Sequence, residues 1–392
     1  MKIDFALAVE KSTASVISAK NLQCGSFESI IPSALSKNGV KALMCYEKGW
    51  YEVGKRIKDL FGSKGITCFC IDEGIPFEKN AVKLLSSVNN LQELVVIGDE
   101  QMALFALNYC LKNSARVIYI PLDFSFGNYL LSAVEMGGSN LLLLDEGLLS
   151  QCGKNKLADG VRTVLTKKIF FIEMLVNQAI EGVIANNQAK TLLNEGQKSL
   201  QDYLQSGAIS DLAIAIILTV MGERYSGAGS IVWSASDLIL RMQRLSLSGE
   251  REYLLYKMVL RAYELYFSND TSFTLSLPGV ALEEAEIKSL YANDYVKPQI
   301  YLPSFLYDQE AVNGFKKKAM ASGELLKEIK AQLAQIEGDS LMLKKQYGGR
   351  KYSVEQYNAK QRARALYLAP YVTEKLTAFH LLFASGITQY LK

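Results

Sequence analysis

The sequence has little histidine, little proline and no long hydrophobic run. Its 392 residues include one histidine, His380, and 7 prolines. A metal site built from several histidines is therefore excluded. The longest apolar run, residues 212–221, is about half of the roughly 20 residues that a membrane-spanning helix needs. We therefore expect no membrane segment.

The sequence also lacks a strong charge of either sign. Lys and Arg number 43 against 40 Asp and Glu, whereas nucleic-acid-binding domains are strongly basic. Residues 1–11 carry acidic groups without an apolar core and cleavage site, so no secretory signal is predicted. The 6 cysteines are scattered without paired metal-ligand spacing, which is typical of reduced thiols. We expect a cytoplasmic protein that binds neither nucleic acid nor membrane.

Residues 94–132 carry the clearest structural signal. The unbroken apolar run from Leu94 to Ile97 predicts a strand buried on both faces. Gly98 breaks the run, residues 101–111 indicate a helix, and the β-branched run at 117–120 predicts a second strand that ends at Pro121. Strand, turn, helix and strand in this order form the unit of parallel α/β sheets.

The remaining pattern divides the chain near residue 150. After a short strand-like start, further strands are predicted at 40–45, 65–70 and 141–144, with helices at 51–61 and 77–87. We predict a Rossmann-like α/β domain with a parallel sheet over residues 1–150 and an all-α domain over residues 151–392. Predicted helices of the second domain are 157–184, 187–204, 210–221, 234–245, 250–267, 309–346 and 353–391.

Several short motifs, in their order and spacing, resemble a known superfamily. They are Asp-Glu-Gly-Leu-Leu at 145–149, the segment 158–167, Ser-Gly-Ala-Gly-Ser at 226–230 and Ser-Gly-Glu at 248–250. Together they resemble the dehydroquinate synthase and iron-dependent alcohol dehydrogenase superfamily, closest to its glycerol-1-phosphate dehydrogenase branch. The resemblance implies a dehydroquinate synthase-like fold and hydride transfer that depends on a metal and on NAD(P).

The departures from that family concern its chemistry. The metal is held there by one carboxylate and two histidines, and the resemblance places Thr163, Ser230 and Ser248 at those positions. Neutral hydroxyls are poor ligands for zinc, iron or nickel. The pyrophosphate turn reads Gly98, Asp99, Glu100, Gln101, and its two carboxylates suit a helix N-terminus but repel a dinucleotide. We expect no cofactor; NAD(P) is possible but disfavoured.

Polar residues near the end of the second strand remain candidates for a site. Asp123, Ser125 and Tyr129 lie at the carboxyl end of the sheet, where α/β proteins bind ligands. Asp99, Glu100 and Asp123 together are candidates for an acidic cleft that takes a cation or an amine.

Residues of the second domain are candidates for the other side of such a cleft. Lys167 either binds a phosphate or lies on a helix surface. Glu223 and Arg224 either line the cleft or form a structural ion pair. His380 is expected to pack within its apolar helix, and the lysines at 316–318 to form a solvated helix face.

Two functions are consistent with this pattern. The first is a glycerol-1-phosphate dehydrogenase-like protein without the hydride-transfer site, a pseudoenzyme that serves as a scaffold, regulatory or partner subunit. The second is a repurposed, metal-independent enzyme acting on a small polar or phosphorylated metabolite in the cleft. We expect a homo- or hetero-oligomer with contacts at the sheet edge near residues 40–70 or in the helical domain.

Overall fold

The structure is a computed structural model of the chain. It describes residues 4–36, 38–46, 49–61, 65–71, 77–182, 186–243, 249–268, 280–292, 298–300, 302–321, 323–348, 359–373 and 375–384. Within these residues, no helix is long and apolar enough to cross a membrane.

The first part of the chain forms a parallel sheet, as predicted. In the described residues it has six strands in the order β1-β6-β5-β4-β2-β3. The central strands consist of apolar runs with no exposed side chain, which is the pattern of a sheet covered on both faces. The strands are β1 (Leu22–Cys24), β2 (Lys41–Tyr46), β3 (Thr67–Ile71), β4 (Glu93–Gly98), β5 (Arg116–Pro121) and β6 (Leu141–Leu144).

Helices connect the strands, and a further helix precedes the first strand. The predicted strand-like start is wrong, because residues 5–13 form a helix whose N-terminal N–H groups are capped by Asp4. The helices are α1 (Phe5–Thr13), α2 (Phe27–Ala34), α3 (Lys55–Phe61, after a π-helical turn at Trp50–Gly54), α4 (Glu78–Leu85), α5 (Glu100–Lys112), α6 (Gly127–Glu135) and α7 (Glu146–Leu149).

The helices lie on different faces of the sheet. Ile31 of α2 and Ile57 of α3 pack with Cys45 and Ile97 in one apolar cluster. On the opposite face, Phe77 contacts both Tyr46 and Phe105 of α5, with ring centroids 6.3 and 5.5 Å apart. The connection after β2 therefore covers one face and the connection after β4 covers the other. This makes the crevice between the ends of β2 and β4 the topological switch point, where such sheets bind ligands.

Helices account for the rest of the described chain, as predicted. They are α8 (Lys154–Thr166), α9 (Ile169–Glu181), α10 (Asn187–Ser206), α11 (Ile209–Ser226), α12 (Ile231–Gln243), α13 (Gly249–Ser268), α14 (Val280–Leu290), α15 (Gln309–Ala321), α16 (Glu324–Tyr347), α17 (Ala359–Val372) and α18 (Ala378–Ala384).

Two predicted helices are divided in the structure. The helix predicted at 157–184 ends at Thr166 and restarts at Ile169, and the one predicted at 309–346 is broken at Gly323, which has a φ of 63°. Of the helix predicted at 353–391, only the parts in α17 and α18 lie in the described residues. The predicted solvated lysine face is wrong for Lys316, which is buried with its ammonium 4.7 Å from the centroid of the Tyr266 ring.

The chain forms two compact units assembled from several segments. The first contains the chain up to Val164 together with Asn194–Met221. The second contains Leu165–Leu193, Gly222–Ala292 and the later helices. The predicted domain boundary near residue 150 stays a prediction.

Candidate functional site

The crevice at the switch point is occupied by side chains of the protein itself. β4 ends at Gly98, and Asp99 caps α5 by accepting a hydrogen bond from the Met102 N–H at 2.9 Å. Burial raises the pKa of Asp99, although the Met102 N–H and the nearby Tyr46, the last residue of β2, oppose the shift. Asp99 therefore lies at the end of β4, beside the end of β2.

Glu100 does not face the crevice. Its buried carboxylate accepts hydrogen bonds from the backbone N–H of Asn128 at 2.6 Å, from the Asn128 amide at 2.9 Å and from the Tyr129 N–H at 3.1 Å. These groups belong to the first turn of α6, so Glu100 caps a neighbouring helix. Gln101 follows as a half-buried residue of α5. Of the two carboxylates in this turn, Asp99 caps α5, whereas Glu100 is bonded to the first turn of α6. Their effect on a phosphate stays a prediction.

Asp123 and Ser125 lie together after β5. The Ser125 N–H donates to Asp123 at 2.9 Å, and the Ser125 hydroxyl donates to the same oxygen. The second Asp123 oxygen pairs with the Lys156 ammonium at 2.8 Å. Asp159, which pairs with Arg162 at 3.0 Å, adds another carboxylate near Lys156.

The charges of this cluster favour a protonated Lys156. Burial alone would lower the pKa of Lys156, but the carboxylate of Asp123, with Asp159 and Asp99, outweighs burial and raises it. Asp123 therefore pairs with an amine of the chain itself, Lys156, and the cleft expected to take a cation or an amine stays a prediction. Glu100 is not part of that cluster.

Tyr129 is wrong as a candidate for lining a cleft. It is fully buried, and its hydroxyl lies between the carbonyl oxygens of Val117 and Leu141, at 3.4 and 3.3 Å. Its ring contacts Tyr119, with centroids 4.8 Å apart. Tyr129 therefore packs α6 onto the sheet.

In the second unit, Lys167 is neither a surface residue nor an accessible phosphate ligand. It is 0% exposed, pairs with Glu223 and lies 4.0 Å from the centroid of the Trp233 ring. Glu223 therefore pairs with Lys167, whereas the sequence offered a structural ion pair of Glu223 and Arg224. Arg224 lies half-buried with its guanidinium 5.8 Å from the Tyr225 ring centroid.

The donor set at the family's metal positions does not fit a transition metal. Thr163 donates its hydroxyl to the Asp159 carbonyl at 3.0 Å, within its own helix. Ser230 is 9% exposed and its hydroxyl has no partner in the part of the chain that the structure describes. Ser248 lies outside the described residues. Two neutral hydroxyls, one already bonded to backbone, do not replace a carboxylate and a histidine.

His380 does not supply the missing nitrogen ligand. It is fully buried, its Nδ1 accepts the Thr377 N–H at 3.1 Å, and its Nε2 lies 3.1 Å from the Pro370 carbonyl. Burial lowers the pKa of His380 to about 4, which keeps the ring neutral. Among the described residues, no group of three or more His, Cys, Asp or Glu side chains is placed to hold a metal ion.

Sequence reasoning missed Tyr46 and Lys156. Tyr46 ends an apolar strand and Lys156 opens a helix, so neither carries a motif. Their roles follow from the adjacency of β2 and β4 and from the placement of α8, which no local pattern encodes.

Comparison with known proteins identifies the fold. No model of a protein family and no curated protein matches the sequence. In contrast, 72 chains of solved structures match its structure. An archaeal halo-thermophilic alcohol dehydrogenase from a Red Sea brine pool has a TM-score of 0.55 at 11% identity, over 95% of this chain and 96% of that chain. An Oenococcus oeni alcohol dehydrogenase has 0.54 at 12% identity, over 95% and 98%.

Another similar structure has a different named activity. The maleylacetate reductase of Agrobacterium tumefaciens has a TM-score of 0.53 at 12% identity, over 96% of this chain and 97% of that chain. The predicted fold, a Rossmann-like parallel sheet followed by helices, is therefore confirmed as one that the chain shares with these dehydrogenases and this reductase. At such identities the likeness concerns the fold alone, because one fold hosts many activities.

Proposed function

We propose that this chain is a glycerol-1-phosphate dehydrogenase-like protein that has lost metal-dependent hydride transfer and acts as a scaffold, regulatory or partner subunit. The observation that carries the proposal is the Asp99 carboxylate, which caps α5 at the switch point by accepting the Met102 N–H. A dinucleotide needs free N–H groups at this helix N-terminus and no negative side chain that would repel its phosphates. Here the Met102 N–H is bonded to Asp99, and the carboxylate adds negative charge.

The family's metal positions support the same conclusion independently. In that superfamily the metal polarises the oxygen of the substrate alcohol or carbonyl. Thr163 and Ser230 offer hydroxyls in place of charged or nitrogen ligands, and Thr163 already bonds to the backbone. Cofactor turn and metal positions are therefore altered together, which favours a changed role over a changed substrate.

The repurposed enzyme is less well supported. This hypothesis depends on Lys167 as a phosphate ligand and on the segment from Ser125 to Ser132 in the cleft. Lys167 is buried against Glu223, and Ser125 donates to Asp123. Both groups already have partners within the chain.

Calorimetric titration with NAD⁺, NADH, NADP⁺ and NADPH tests the loss of the cofactor site. We expect no saturable binding by the wild-type chain. Asp99→Gly should gain affinity, because it removes the charge and frees the Met102 N–H, while glycine at an N-cap costs only a few tenths of a kcal/mol.

Asp308→Gly is the matched control. Asp308 caps α15 through the N–H groups of Glu310 and Ala311, at 2.9 and 3.2 Å, and belongs to the second unit. It should leave dinucleotide binding unchanged. A micromolar Kd for the wild-type chain overturns the proposal.

Light scattering and co-purification test the partner role. We expect a homo- or hetero-oligomer at micromolar concentration, with a specific interface of at least about 1,000 Å². A strict monomer that turns over a small metabolite would favour the repurposed enzyme.

A further inference from the structure

Three thiols lie on one face of two adjacent strands, β2 and β3. Cys45 of β2 and Cys70 of β3 are register partners, and Cys68 is the register partner of Leu43. The Cys45 thiol donates to the Phe69 carbonyl on β3 at 3.8 Å. All three cysteines are free thiols.

The backbone spacing selects one pair of thiols for a disulfide. Adjacent strands lie about 4.7–4.9 Å apart, which is inside the roughly 4.4–6.8 Å range of Cα separations that disulfides span. Cys45 and Cys70 meet this condition and share a face. Cys68 and Cys70 are next-but-one neighbours on an extended strand, about 6.6 Å apart, at the outer limit of the range.

The two thiols of the selected pair differ in accessibility. Cys70 is exposed on β3, the strand at the edge of the described sheet, whereas Cys45 is fully buried beneath α2 and α3. Burial raises the pKa of Cys45 to about 12, so this thiol stays protonated and does not react with an oxidant in solvent. An oxidant from solvent reaches Cys70 first.

We propose that Cys70 is a peroxide-oxidation site and that Cys45 is its resolving cysteine. The Cys70 thiol releases its proton, the sulfur attacks one oxygen of hydrogen peroxide and the O–O bond breaks. A Cys70 sulfenic acid forms, and the departing hydroxide takes up the released proton to give water. The Cys45 sulfur then attacks the sulfenic sulfur, the S–O bond breaks, and the second water leaves with the proton of Cys45. Two thiols and one peroxide give one disulfide and two waters.

The disulfide would act next to the switch point. Cys45 immediately precedes Tyr46, the last residue of β2, whose neighbour in the sheet, β4, leads into Asp99. Gly49 packs closely against Cys45: a side chain added at Gly49 would place its Cβ 3.5 Å from the Cys45 Cβ. Oxidation would thus tie the edge strand to a strand that borders the crevice.

Peptide mapping of the peroxide-treated full chain tests the proposal. The purified, reduced protein is exposed to a small excess of hydrogen peroxide, remaining thiols are alkylated, and the digest is analysed by mass spectrometry. We expect a Cys45–Cys70 linked peptide pair, two hydrogens lighter than the sum of its peptides, which dithiothreitol separates. Buried Cys24 and Cys110 should stay reduced as internal controls.

Substitutions separate the roles of the three thiols. Cys68→Ser should leave the bridge intact, and Cys70→Ser, at an exposed position, should abolish it without unfolding the chain. Cys45→Ala should leave a Cys70 sulfenic acid that dimedone traps. A Cys68–Cys70 bridge, a disulfide between two chains, or Cys70 oxidised beyond sulfenic acid without any bridge would each overturn the proposal.

Discussion

The Asp99 carboxylate accepts the Met102 N–H at 2.9 Å, and this cap lies at the carboxyl edge of the sheet, where β4 ends beside β2. In an open parallel sheet with this topology, ligands bind between these two strands. The cap therefore occupies an N–H group at the place where such sheets bind ligands.

Glu100 should contribute strongly to stability although it makes no contact with a ligand. Glu100→Ala leaves three N–H donors of Asn128 and Tyr129 without their acceptor. Hydrogen bonds to charged groups are worth about 1.5–3 kcal/mol each and are not additive, so we expect a loss on the order of 3 kcal/mol. Glu100→Gln keeps one acceptor oxygen and should lose less. Urea unfolding measures both, and an unchanged midpoint for Glu100→Ala would contradict this role.

The buried Lys167–Glu223 pair should be costly to break from one side. Lys167→Met leaves the Glu223 carboxylate without its cation, and removing one partner of a buried pair costs about 3–5 kcal/mol. The double variant Lys167→Met with Glu223→Met should regain much of that loss, because no unpaired charge remains.

A solvent-exposed pair provides the control for that cycle. Lys288 and Glu284 lie 2.6 Å apart on α14 with side chains 68% and 40% exposed. Lys288→Met should cost less than about 1 kcal/mol, because exposed pairs are screened by solvent. Equal losses for Lys167→Met and Lys288→Met in urea unfolding would show that burial does not govern the first pair.

His380 should make the fold sensitive to acid. Burial lowers its folded pKa from 6.5 to about 4, so between these values the unfolded chain binds more protons. This contribution is fully present above pH 6.5 and is lost as the pH falls to about 4. It amounts to roughly 3 kcal/mol at 1.36 kcal/mol per pKa unit. His380→Gln should show a shallower decline of unfolding free energy between pH 6.5 and 4, and a parallel decline would contradict the prediction.

Glu173 should make the unfolding free energy fall as the pH rises from 4.5 to about 8. It is fully buried, accepts hydrogen bonds from the Tyr263 hydroxyl and the Ala378 N–H, and burial raises its pKa to about 8. The folded chain therefore holds a proton that the unfolded chain releases above pH 4.5, and stability falls as the pH rises to about 8. Glu173→Gln resembles the protonated acid and should flatten this decline. Denaturation series at pH 6 and 9 compare the two chains.

The sequence predicted the sheet well because its signal is local. The apolar run of β4, the break at Gly98 and the β-branched run of β5 each lie within a few residues, and their order implies a parallel unit. The first helix was missed because its signal is weak: α1 mixes apolar residues with polar ones and depends on the cap from Asp4.

The candidate site was predicted less well because its contacts are not local. Glu100 was placed correctly at a helix N-terminus, but its bonds reach Asn128 on another helix. The sequence predicts that Lys167 lies on a helix surface or binds a phosphate. Its partner in the structure is Glu223, which is far away in the sequence. No periodicity or motif reports which side chains from distant segments become neighbours.

The pairing of Lys156 with Asp123 determines how well amines and cations from solution can compete for the Asp123 carboxylate. A tethered group reaches an effective concentration of about millimolar, whatever the solution contains. A free amine at micromolar concentration would therefore rarely displace Lys156 from Asp123. Neutralising Lys156, for example by acetylating its amine, would vacate the carboxylate and let external cations compete there for the first time.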